Sequence, residues 1–354
     1  MITVAILGAG IGREHLDGYR ALPDLFEVKT LCDLDRARAS EVVGEDPITI
    51  TDKLDLVLAD PRIDLVDVCL PPHLHFPVTM QVLKAGKHAI CEKPLVSSLA
   101  DADSLTSTSN ALNKNVYPVF QYRYGRAMSQ VQSLRDAGLL GTPYAASIET
   151  HWCRRADYYA IDWRGTWAGE NGGAVLGHAI HNHDLITALI GPVQSLSAFT
   201  ATRANPIETE DCASISMQMV NGALVTSSIT LGAADDTTRL KLTFSGVTIT
   251  SGTAPYAPAT DTWTFTARDP ELQSAVDDVI NSVGDVPQGF TGFLSAIAAD
   301  LKQQPAEAVT LADGRQSIEL VAAIYHAART GTVVTLPLTE DHPLYAGWHP
   351  SKDS

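Results

Sequence analysis

The first 22 residues, "MITVAILGAGIGREHLDGYRAL", contain a short apolar run, a glycine-rich turn and an amphipathic segment in direct succession. A short apolar run that ends in glycine is typical of a strand buried on both faces of a sheet, and the segment after it has helical spacing. This stretch therefore predicts a parallel strand that leads through a glycine turn into a helix.

The same unit repeats along the chain to about residue 122. Strand-like segments such as "EVKTLCD" (27–33), "IDLVDVCLPP" (63–72) and "HAICEKP" (88–94) alternate with segments of helical periodicity. Such alternation is typical of a doubly wound parallel sheet, whose ligands bind beyond the carboxyl ends of the strands. We expect residues 1–122 to form a Rossmann domain that binds NAD or NADP.

From residue 123 the pattern changes to polar and apolar residues in alternation. "CASISMQMV" (212–220) and "ALVTSSITL" (223–231) have a period of two, and the "NG" between them is a strong hairpin signal. We expect residues 123–354 to form a second α/β domain for substrate binding and oligomerisation. Its core is predicted to be a large, open, mostly antiparallel sheet flanked by helices.

Composition limits the partners of the chain. A formal net charge of −16 over 354 residues opposes binding to nucleic acids and to anionic membranes. The five cysteines are widely spaced and show no C-x-x-C pair, so neither a disulfide framework nor a metal cluster is predicted. The chain starts directly in a strand pattern and has no long apolar segment, so a cytoplasmic protein is expected.

The glycine turn is a candidate site for a dinucleotide. Gly8 and Gly10 match the first two glycines of G-x-G-x-x-G, whereas Gly12 comes one residue too early to be the third. Small residues let a pyrophosphate approach the backbone, and the helix that follows offers free N–H groups. The pattern alone is also compatible with a tight turn that binds no ligand.

Asp33 favours the dinucleotide interpretation, because it ends the second strand about 20 residues further on. An acidic residue there can accept hydrogen bonds from ribose hydroxyls and would repel a 2′-phosphate, so NAD is favoured over NADP. Arg36 and Arg38 lie nearby and could accommodate NADP, but we expect both to be solvated.

Lys93, in "HAICEKPLVS" (88–97), follows the fifth strand at the ligand-binding edge of the sheet. Its ammonium group could bond a substrate oxygen, stabilise a developing alkoxide and help to transfer a proton. The alternative is a surface lysine that pairs with Glu92.

Five motifs in order give the chain a strong resemblance to the Gfo/Idh/MocA oxidoreductases, which include glucose-fructose oxidoreductase and inositol 2-dehydrogenase. The motifs are "GAGIGREH" (8–15), "DVCLPPHLHFPVTMQVLKAGKHAICEKPL" (67–95), "GLLGTPYAA" (138–146), "WRGTWAGENGGAVLGHAIHNHDLI" (163–186) and "LADGRQSIELVAAIYHAARTG" (311–331). The resemblance implies that Lys93 and His181 are catalytic. It also implies that a second subunit covers the sheet of the second domain, in a homodimer or homotetramer. The positions that it assigns to cofactor binding, together with the glycine turn and Asp33, are Gly8, Gly10, Ile11, Gly12, Asp33, Leu70, Pro71, His75, Glu92 and Lys93.

His178, His181 and Asp184 are successive i, i+3 neighbours on a predicted helix. A neutral His181 could accept the proton of a substrate hydroxyl, with Asp184 orienting its ring. The chain has Gly177 where many relatives carry a substrate-binding aspartate, and His178 could fill part of that space. A buried helix-face histidine and a metal site built on His178 and His181 are the alternatives.

The aromatic and basic loop, "HWCRRADYYAIDWRGTW" (151–167), lies between a predicted strand and the predicted helix of the histidine cluster. Trp163 could stack on a sugar ring and Arg164 could bond its hydroxyls or a carboxylate, unless the loop serves only packing. Arg123, near the domain junction, is a further candidate for substrate binding.

The sequence thus predicts an NAD-dependent oxidoreductase that acts on a secondary hydroxyl, or the matching ketone, of a sugar, cyclic polyol or related carbohydrate. Two other functions remain open. One is a redox-neutral enzyme in which transient oxidation allows elimination, epimerisation or glycoside cleavage. The other is a cofactor-binding sensor without catalysis.

Overall fold

The computed structural model describes residues 1–350, which divide into two compact units. Met1–Phe120 and Phe290–Ile318 form the first unit, and Gln121–Gly289 with the residues from Glu319 onward form the second. The strands, in chain order, are β1 Ile2–Leu7, β2 Phe26–Cys32, β3 Thr49–Thr51, β4 Leu65–Val68, β5 His88–Cys91, β6 Val116–Pro118, β7 Pro143–Cys153, β8 Val193–Ala201, β9 Cys212–Met219, β10 Leu224–Thr230, β11 Gly232–Phe244, β12 Val247–Thr250, β13 Thr264–Ala267 and β14 Val334–Thr335.

The helices that surround these strands are α1 Gly12–Arg20, α2 Arg36–Val43, α3 Leu54–Ala59, α4 Pro72–Lys84, α5 Leu99–Leu112, α6 Arg126–Asp136, α7 Trp167–Glu170, α8 Ala174–Gly177, α9 Ile180–Ile190, α10 Gln273–Ser282, α11 Gly289–Leu301 and α12 Leu311–Thr330. None of the helices within residues 1–350 combines the length and the apolar composition needed to cross a lipid bilayer.

The sheet of the first unit has the order β3-β2-β1-β4-β5-β6, and all of its strand pairs are parallel. Successive strands are added on one side of β1 up to β3 and on its other side from β4 onward, so the carboxyl ends of β1 and β4 flank a switch point where α/β sheets bind ligands. The apolar residues of β1 and β4 are buried, as expected for strands covered on both faces. The predicted Rossmann fold is confirmed.

Helix α11 returns the chain to the first unit, whereas the sequence analysis assigned all of 123–354 to the second. A Cβ atom at Gly18 of α1 would lie 3.1 Å from Leu294 Cδ1 and 3.3 Å from Phe290 Cβ. Phe290 also packs on His15, with ring centroids 4.4 Å apart. The bare backbone of Gly18 therefore lets α11 pack closely against α1.

The second unit is built on an eight-stranded sheet with the order β13-β12-β11-β7-β10-β9-β8-β14. The β10 and β7 pair is parallel and the other pairs are antiparallel, which confirms the predicted mostly antiparallel sheet. Gly222 adopts φ +89° in the turn between β9 and β10, where its amide donates to Met219 O at 2.9 Å. Buried and exposed residues alternate along β9 and β10, so one face of these strands is uncovered in the single chain.

Candidate functional site

The glycine turn after β1 is closely packed at two positions and open at a third. A Cβ atom at Gly8 (φ +97°) would lie 2.3 Å from Cys69 O, and one at Gly12 would lie 2.9 Å from Ile6 Cγ2. A Cβ atom at Gly10 would meet nothing within 4 Å. Helix α1 begins at Gly12, so its first amides follow directly on this opening. The turn therefore fits the pyrophosphate of a dinucleotide.

Asp33, directly after β2, is tied to the glycine turn. Its Oδ2 atom accepts a hydrogen bond from the Ala9 amide at 2.6 Å, and its Oδ1 atom accepts one from the Asp35 amide at 2.7 Å. Burial opposes the charged form, but these amides and Arg38 lower the pKa of Asp33 below the usual aspartate value. The carboxylate is therefore ionised at neutral pH, as an acceptor of ribose hydroxyls must be.

Arg38 is bonded to Asp33, although the sequence analysis placed it in solvent. Its Nη2 atom lies 3.0 Å from Oδ1 and 2.9 Å from Oδ2 of Asp33, while 49% of the side chain stays exposed. Helical periodicity gave the position of Arg38 on α2 but not the direction of its long side chain.

His75 connects the loop after β4 to the segment that carries the candidate lysine. The buried ring lies between two carbonyls, with Nδ1 2.6 Å from Pro94 O and Nε2 2.7 Å from Leu70 O. Burial lowers the pKa of His75, although both carbonyls favour its protonated form. These bonds hold the loop at Leu70 and Pro71 against the Lys93–Pro94 segment, whose peptide bond is cis.

Lys93 directly follows β5 and Glu92, and the Glu92 carboxylate is bonded on both sides. Its Oε2 atom accepts the backbone N–H of Lys93 at 2.9 Å, and its Oε1 atom lies 3.0 Å from His15 Nε2. The other ring nitrogen of His15 lies 2.8 Å from Asp67, which also accepts the Tyr19 hydroxyl at 2.9 Å. Glu92 is therefore held in place by a buried network.

His15 is the cationic centre of this network. Both of its ring nitrogens face carboxylates, which only accept hydrogen bonds, so the ring carries two N–H protons. Burial opposes the charge, but neighbouring Asp67 raises the pKa of His15 well above 6.5. The sequence analysis gave His15 no role. A charged residue inside the otherwise apolar strand "LVDV" was the signal that pointed to a buried partner for Asp67.

Among residues 1–350, the three metal-type side chains that come together are His15, Asp67 and Cys69. His178 and His181, considered as ligands above, are not part of this group. Burial raises the pKa of Cys69 far above that of a free thiol, and His15 is engaged by two carboxylates. A protonated thiol and an imidazolium do not bind metal ions, so the group is better suited to a hydrogen-bonded network.

In the second unit, the residues of the predicted histidine cluster lie on α9 and the segment before it. His181 is buried and stacks on Tyr122, with ring centroids 4.5 Å apart. His178 Nε2 lies 3.3 Å from the Tyr158 hydroxyl. Asp184 accepts two hydrogen bonds from Arg123, at 2.6 and 2.8 Å. The structure thus gives Asp184 a partner that the helical spacing alone did not indicate.

Gly177 ends α8, directly before His178. A Cβ atom at this position would meet nothing within 4 Å, so the second unit has room for a side chain here. Packing of the described residues therefore does not require a glycine at position 177.

A buried glutamate supports the segment that leads to His178. Glu210 accepts the amides of Gly173 and Val175 at 3.1 and 3.0 Å and the Tyr325 hydroxyl at 2.9 Å. Burial raises the pKa of Glu210 to about 7. A Cβ atom at Gly173 would lie 1.9 Å from Glu210 O, which explains a glycine at that position. No sequence motif indicated Glu210.

The aromatic and basic loop holds two arginines in different environments. Arg154 pairs with Asp236, with Nη1 3.0 and 3.1 Å from the two carboxylate oxygens. The Arg164 guanidinium instead stacks on Tyr158 at 3.9 Å and lies 5.2 Å from the ring of Trp163. Trp163 is 45% exposed, which leaves part of its ring accessible for stacking on a sugar.

Both units match models of one protein family. Residues 2–120 match a model described as "Oxidoreductase family, NAD-binding Rossmann fold", and residues 128–250 match the GFO/IDH/MocA C-terminal domain. The chain belongs to the Gfo/Idh/MocA oxidoreductase family. Its N-terminal unit is thus the NAD-binding Rossmann fold of this family.

Curated oxidoreductases resemble the chain over part of its length. It is 28% identical over 235 residues to an uncharacterized oxidoreductase of Synechocystis sp., which covers 62% of this chain and 63% of the relative. It is 30% identical over 146 residues to an inositol 2-dehydrogenase of Rhodococcus erythropolis, which covers 40% of this chain and 42% of the relative. The chain thus matches less than two thirds of the length of these relatives.

A solved Gfo/Idh/MocA structure resembles the chain over nearly all of its length. The WlbA dehydrogenase from Bordetella pertussis, determined in complex with NADH and UDP-GlcNAcA, has 25% sequence identity and a TM-score of 0.82. The likeness covers 96% of this chain and 99% of that structure.

Proposed function

We propose that the protein is an NAD-dependent oxidoreductase acting on a secondary hydroxyl, or the matching ketone, of a sugar, cyclic polyol or related carbohydrate. The observation that carries this proposal is the ionised Asp33 carboxylate tied to the Ala9 amide of the glycine turn. A charged acceptor suits the two ribose hydroxyls of NAD and opposes the 2′-phosphate of NADP. The similarity to an inositol 2-dehydrogenase supports the substrate class.

The residues of the first unit supply the cofactor site in this proposal. Gly8, Gly10, Ile11 and Gly12 hold the pyrophosphate at the N-terminus of α1, and Asp33 holds the adenosine ribose. Leu70, Pro71, His75 and Glu92 shape the segment around the nicotinamide. When bound, the nicotinamide accepts hydride from a substrate carbon or returns it.

Lys93 and His181 manage the proton in this proposal. The Lys93 ammonium bonds the substrate oxygen and stabilises the negative charge that develops on it. In the oxidative direction, His181 accepts the hydroxyl proton, which requires a neutral ring. Stacking on Tyr122 fixes the plane of the His181 ring.

The test is a spectrophotometric assay of reduced cofactor formation by purified protein. NAD and NADP are compared separately against sugars, polyols and sugar acids. Turnover with NAD supports the proposal, while turnover with NADP alone would contradict the role of Asp33. NAD binding without any net reduction would favour the redox-neutral enzyme or the sensor, and analysis of the substrate for epimerised or cleaved products would separate those two.

We also propose that the chain forms a homodimer or homotetramer through the uncovered face of the second sheet. Phe199 on β8 and Leu224 on β10 are 76% and 61% exposed on this face. Exposed apolar side chains on an open sheet favour burial against a second copy. Light scattering of the wild type and of Phe199→Asp tests this proposal. A monomeric wild type would contradict it.

A further inference from the structure

The aromatic and basic loop of the second unit contains an arginine whose charge the protein does not neutralise. Within residues 1–350, no carboxylate forms an ion pair with Arg164, and its buried Nε atom has no hydrogen-bond partner. Arg154 in the same loop also has a buried Nε atom without a partner, but its charge is paired, because Asp236 accepts two hydrogen bonds from it and the Tyr256 hydroxyl accepts another at 3.0 Å. A buried guanidinium N–H without an acceptor is costly unless a ligand supplies one.

The aromatic rings around Arg164 determine which of its guanidinium N–H groups a ligand can reach. One face of the guanidinium lies on the Tyr158 ring at 3.9 Å, and Trp163 flanks it at 5.2 Å. Stacking covers the face of the group, so the in-plane N–H donors at its edge are the atoms available to a ligand. These donors match the two oxygens of a carboxylate in a bidentate pair.

Tyr158 connects the Arg164 guanidinium to the histidine cluster. The guanidinium stacks on the Tyr158 ring, and the Tyr158 hydroxyl lies 3.3 Å from His178 Nε2. His178 also packs edge-on against Trp152, with ring centroids 5.5 Å apart. Arg164 and His178 are therefore the two ends of one rigid aromatic unit, and His178 stands three residues before His181.

We propose that Arg164 binds the carboxylate of the substrate and that the protein acts on sugar acids, such as aldonates and uronates, in preference to neutral sugars. This inference rests on the oxidoreductase function proposed above. One uncompensated cation suits a singly charged carboxylate, because Arg154 is already neutralised by Asp236. A phosphate dianion would need a second cation or several amides.

The test compares matched substrates with the wild type and three variants, of which two have an equal charge change and one keeps the charge. D-gluconate and D-glucitol form one pair, D-glucuronate and D-glucose the other, and D-glucose 6-phosphate represents a phosphate ligand. Arg164→Gln should raise the KM of the acids about tenfold to a hundredfold while kcat changes little. Arg164→Lys should give an intermediate KM, because it keeps the charge but loses the fork. Arg155→Gln removes one exposed charge from the same loop and should leave KM unchanged.

A second readout separates this inference from the oxidoreductase proposal. Calorimetric titration of D-gluconate and D-glucuronate into the NADH-loaded protein measures binding without oxidation, because the reduced cofactor cannot accept hydride. Acid binding that Arg164→Gln abolishes supports the inference even if no reduced cofactor forms, and it would then be the oxidoreductase proposal that fails. Turnover of neutral substrates alone, or acid binding that Arg164→Gln leaves intact, overturns the inference and leaves the oxidoreductase standing. An Arg164-dependent response to D-glucose 6-phosphate alone, or binding of no acid at all to wild type, also overturns it. Circular dichroism verifies that each variant is folded.

Discussion

Two candidate cofactor residues of the first unit, Asp33 and His75, are bonded to backbone groups, whereas two candidate substrate residues of the second unit, His178 and Asp184, contact other side chains. Asp33 accepts two backbone amides, and His75 lies between two carbonyls. In the second unit, His178 contacts the Tyr158 hydroxyl and Asp184 pairs with Arg123. A backbone partner is present whatever residue occupies its position, but a side-chain partner is lost with one substitution. The chemistry of the candidate substrate residues is therefore easier to change by substitution.

Replacing Lys93 by methionine should have the largest effect. Loss of the ammonium group is expected to lower kcat by at least about a hundredfold, while the Kd of NAD changes by less than about tenfold. Stopped assays and calorimetry measure the two quantities, with Lys84→Met as an exposed control on the same unit. Equal losses in turnover and NAD affinity would assign Lys93 to cofactor binding and remove it from the chemistry.

The second largest effect is expected at His15. His15→Gln leaves the buried Asp67 and Glu92 carboxylates without a cation, which should lower the free energy of unfolding by about 3–5 kcal/mol. The folded-state pKa of His15 is raised, so its stabilisation is complete below the unfolded pKa near 6.5 and is lost as the pH rises through the folded pKa. Urea unfolding at several pH values measures both the loss of stability in His15→Gln and the pH dependence of the stabilisation by His15.

The exposed His73→Gln serves as the control for that experiment and should shift stability by no more than about 0.5 kcal/mol. An equally small shift for His15→Gln would show that the Asp67–His15–Glu92 network does not stabilise the first unit.

Glu210 in the second unit accepts hydrogen bonds from backbone amides, as Asp33 does in the first unit. The pH dependence of the free energy of unfolding tests the role of Glu210. Its pKa is raised from 4.5 to about 7 by burial, so the folded state binds the proton more tightly than the unfolded state. Stability should fall by up to about 3 kcal/mol as the pH rises from about 4.5 to 7. Glu210→Gln should remove this slope, while the exposed Glu340→Gln should retain it; a slope that survives in Glu210→Gln would refute the assignment.

A smaller effect is expected for the choice of cofactor. Asp33→Asn removes the negative charge and releases Arg38, so the KM of NAD should rise about tenfold and that of NADP should fall. Steady-state kinetics with both cofactors measure the change, with Asp52→Asn as a nearby control. An unchanged NAD to NADP preference would show that Asp33 serves only to hold the glycine turn.

The smallest effect is expected for Gly177→Asp. Because a Cβ atom at this position meets nothing, the free energy of unfolding should change by no more than about 0.5 kcal/mol. Thermal and urea unfolding measure it. A loss above about 2 kcal/mol would mean that the space beside Gly177 cannot take an aspartate side chain.

The sequence predicted the strands and helices of this molecule better than the contacts between their side chains. Alternating strands and helices indicated the parallel sheet, and period-two segments indicated the antiparallel one, because both patterns reflect local burial. The pairing of Arg38 with Asp33 and of Arg123 with Asp184 depends on side-chain direction, which periodicity does not encode.

Two larger features also lay beyond the sequence patterns. The amphipathic face of α11 indicated that the helix packs on something, but not that α1 is its partner. Glu210 lies in a segment without a motif, and its role depends on amides more than 30 residues away in the chain. Long-range contacts of this kind arise from the tertiary fold.

The return of α11 to the first unit affects the order in which the two units can complete their folding during synthesis. The ribosome produces residues 121–289 before Phe290 and Leu294 exist, so the surface of α1 that these residues cover stays exposed to water throughout that interval. The nucleotide-binding half, although it begins the chain, is thus completed only after most of the other half has been made. A fragment that stops at the end of β6 lacks this cover and should expose the apolar surface of α1 to aggregation.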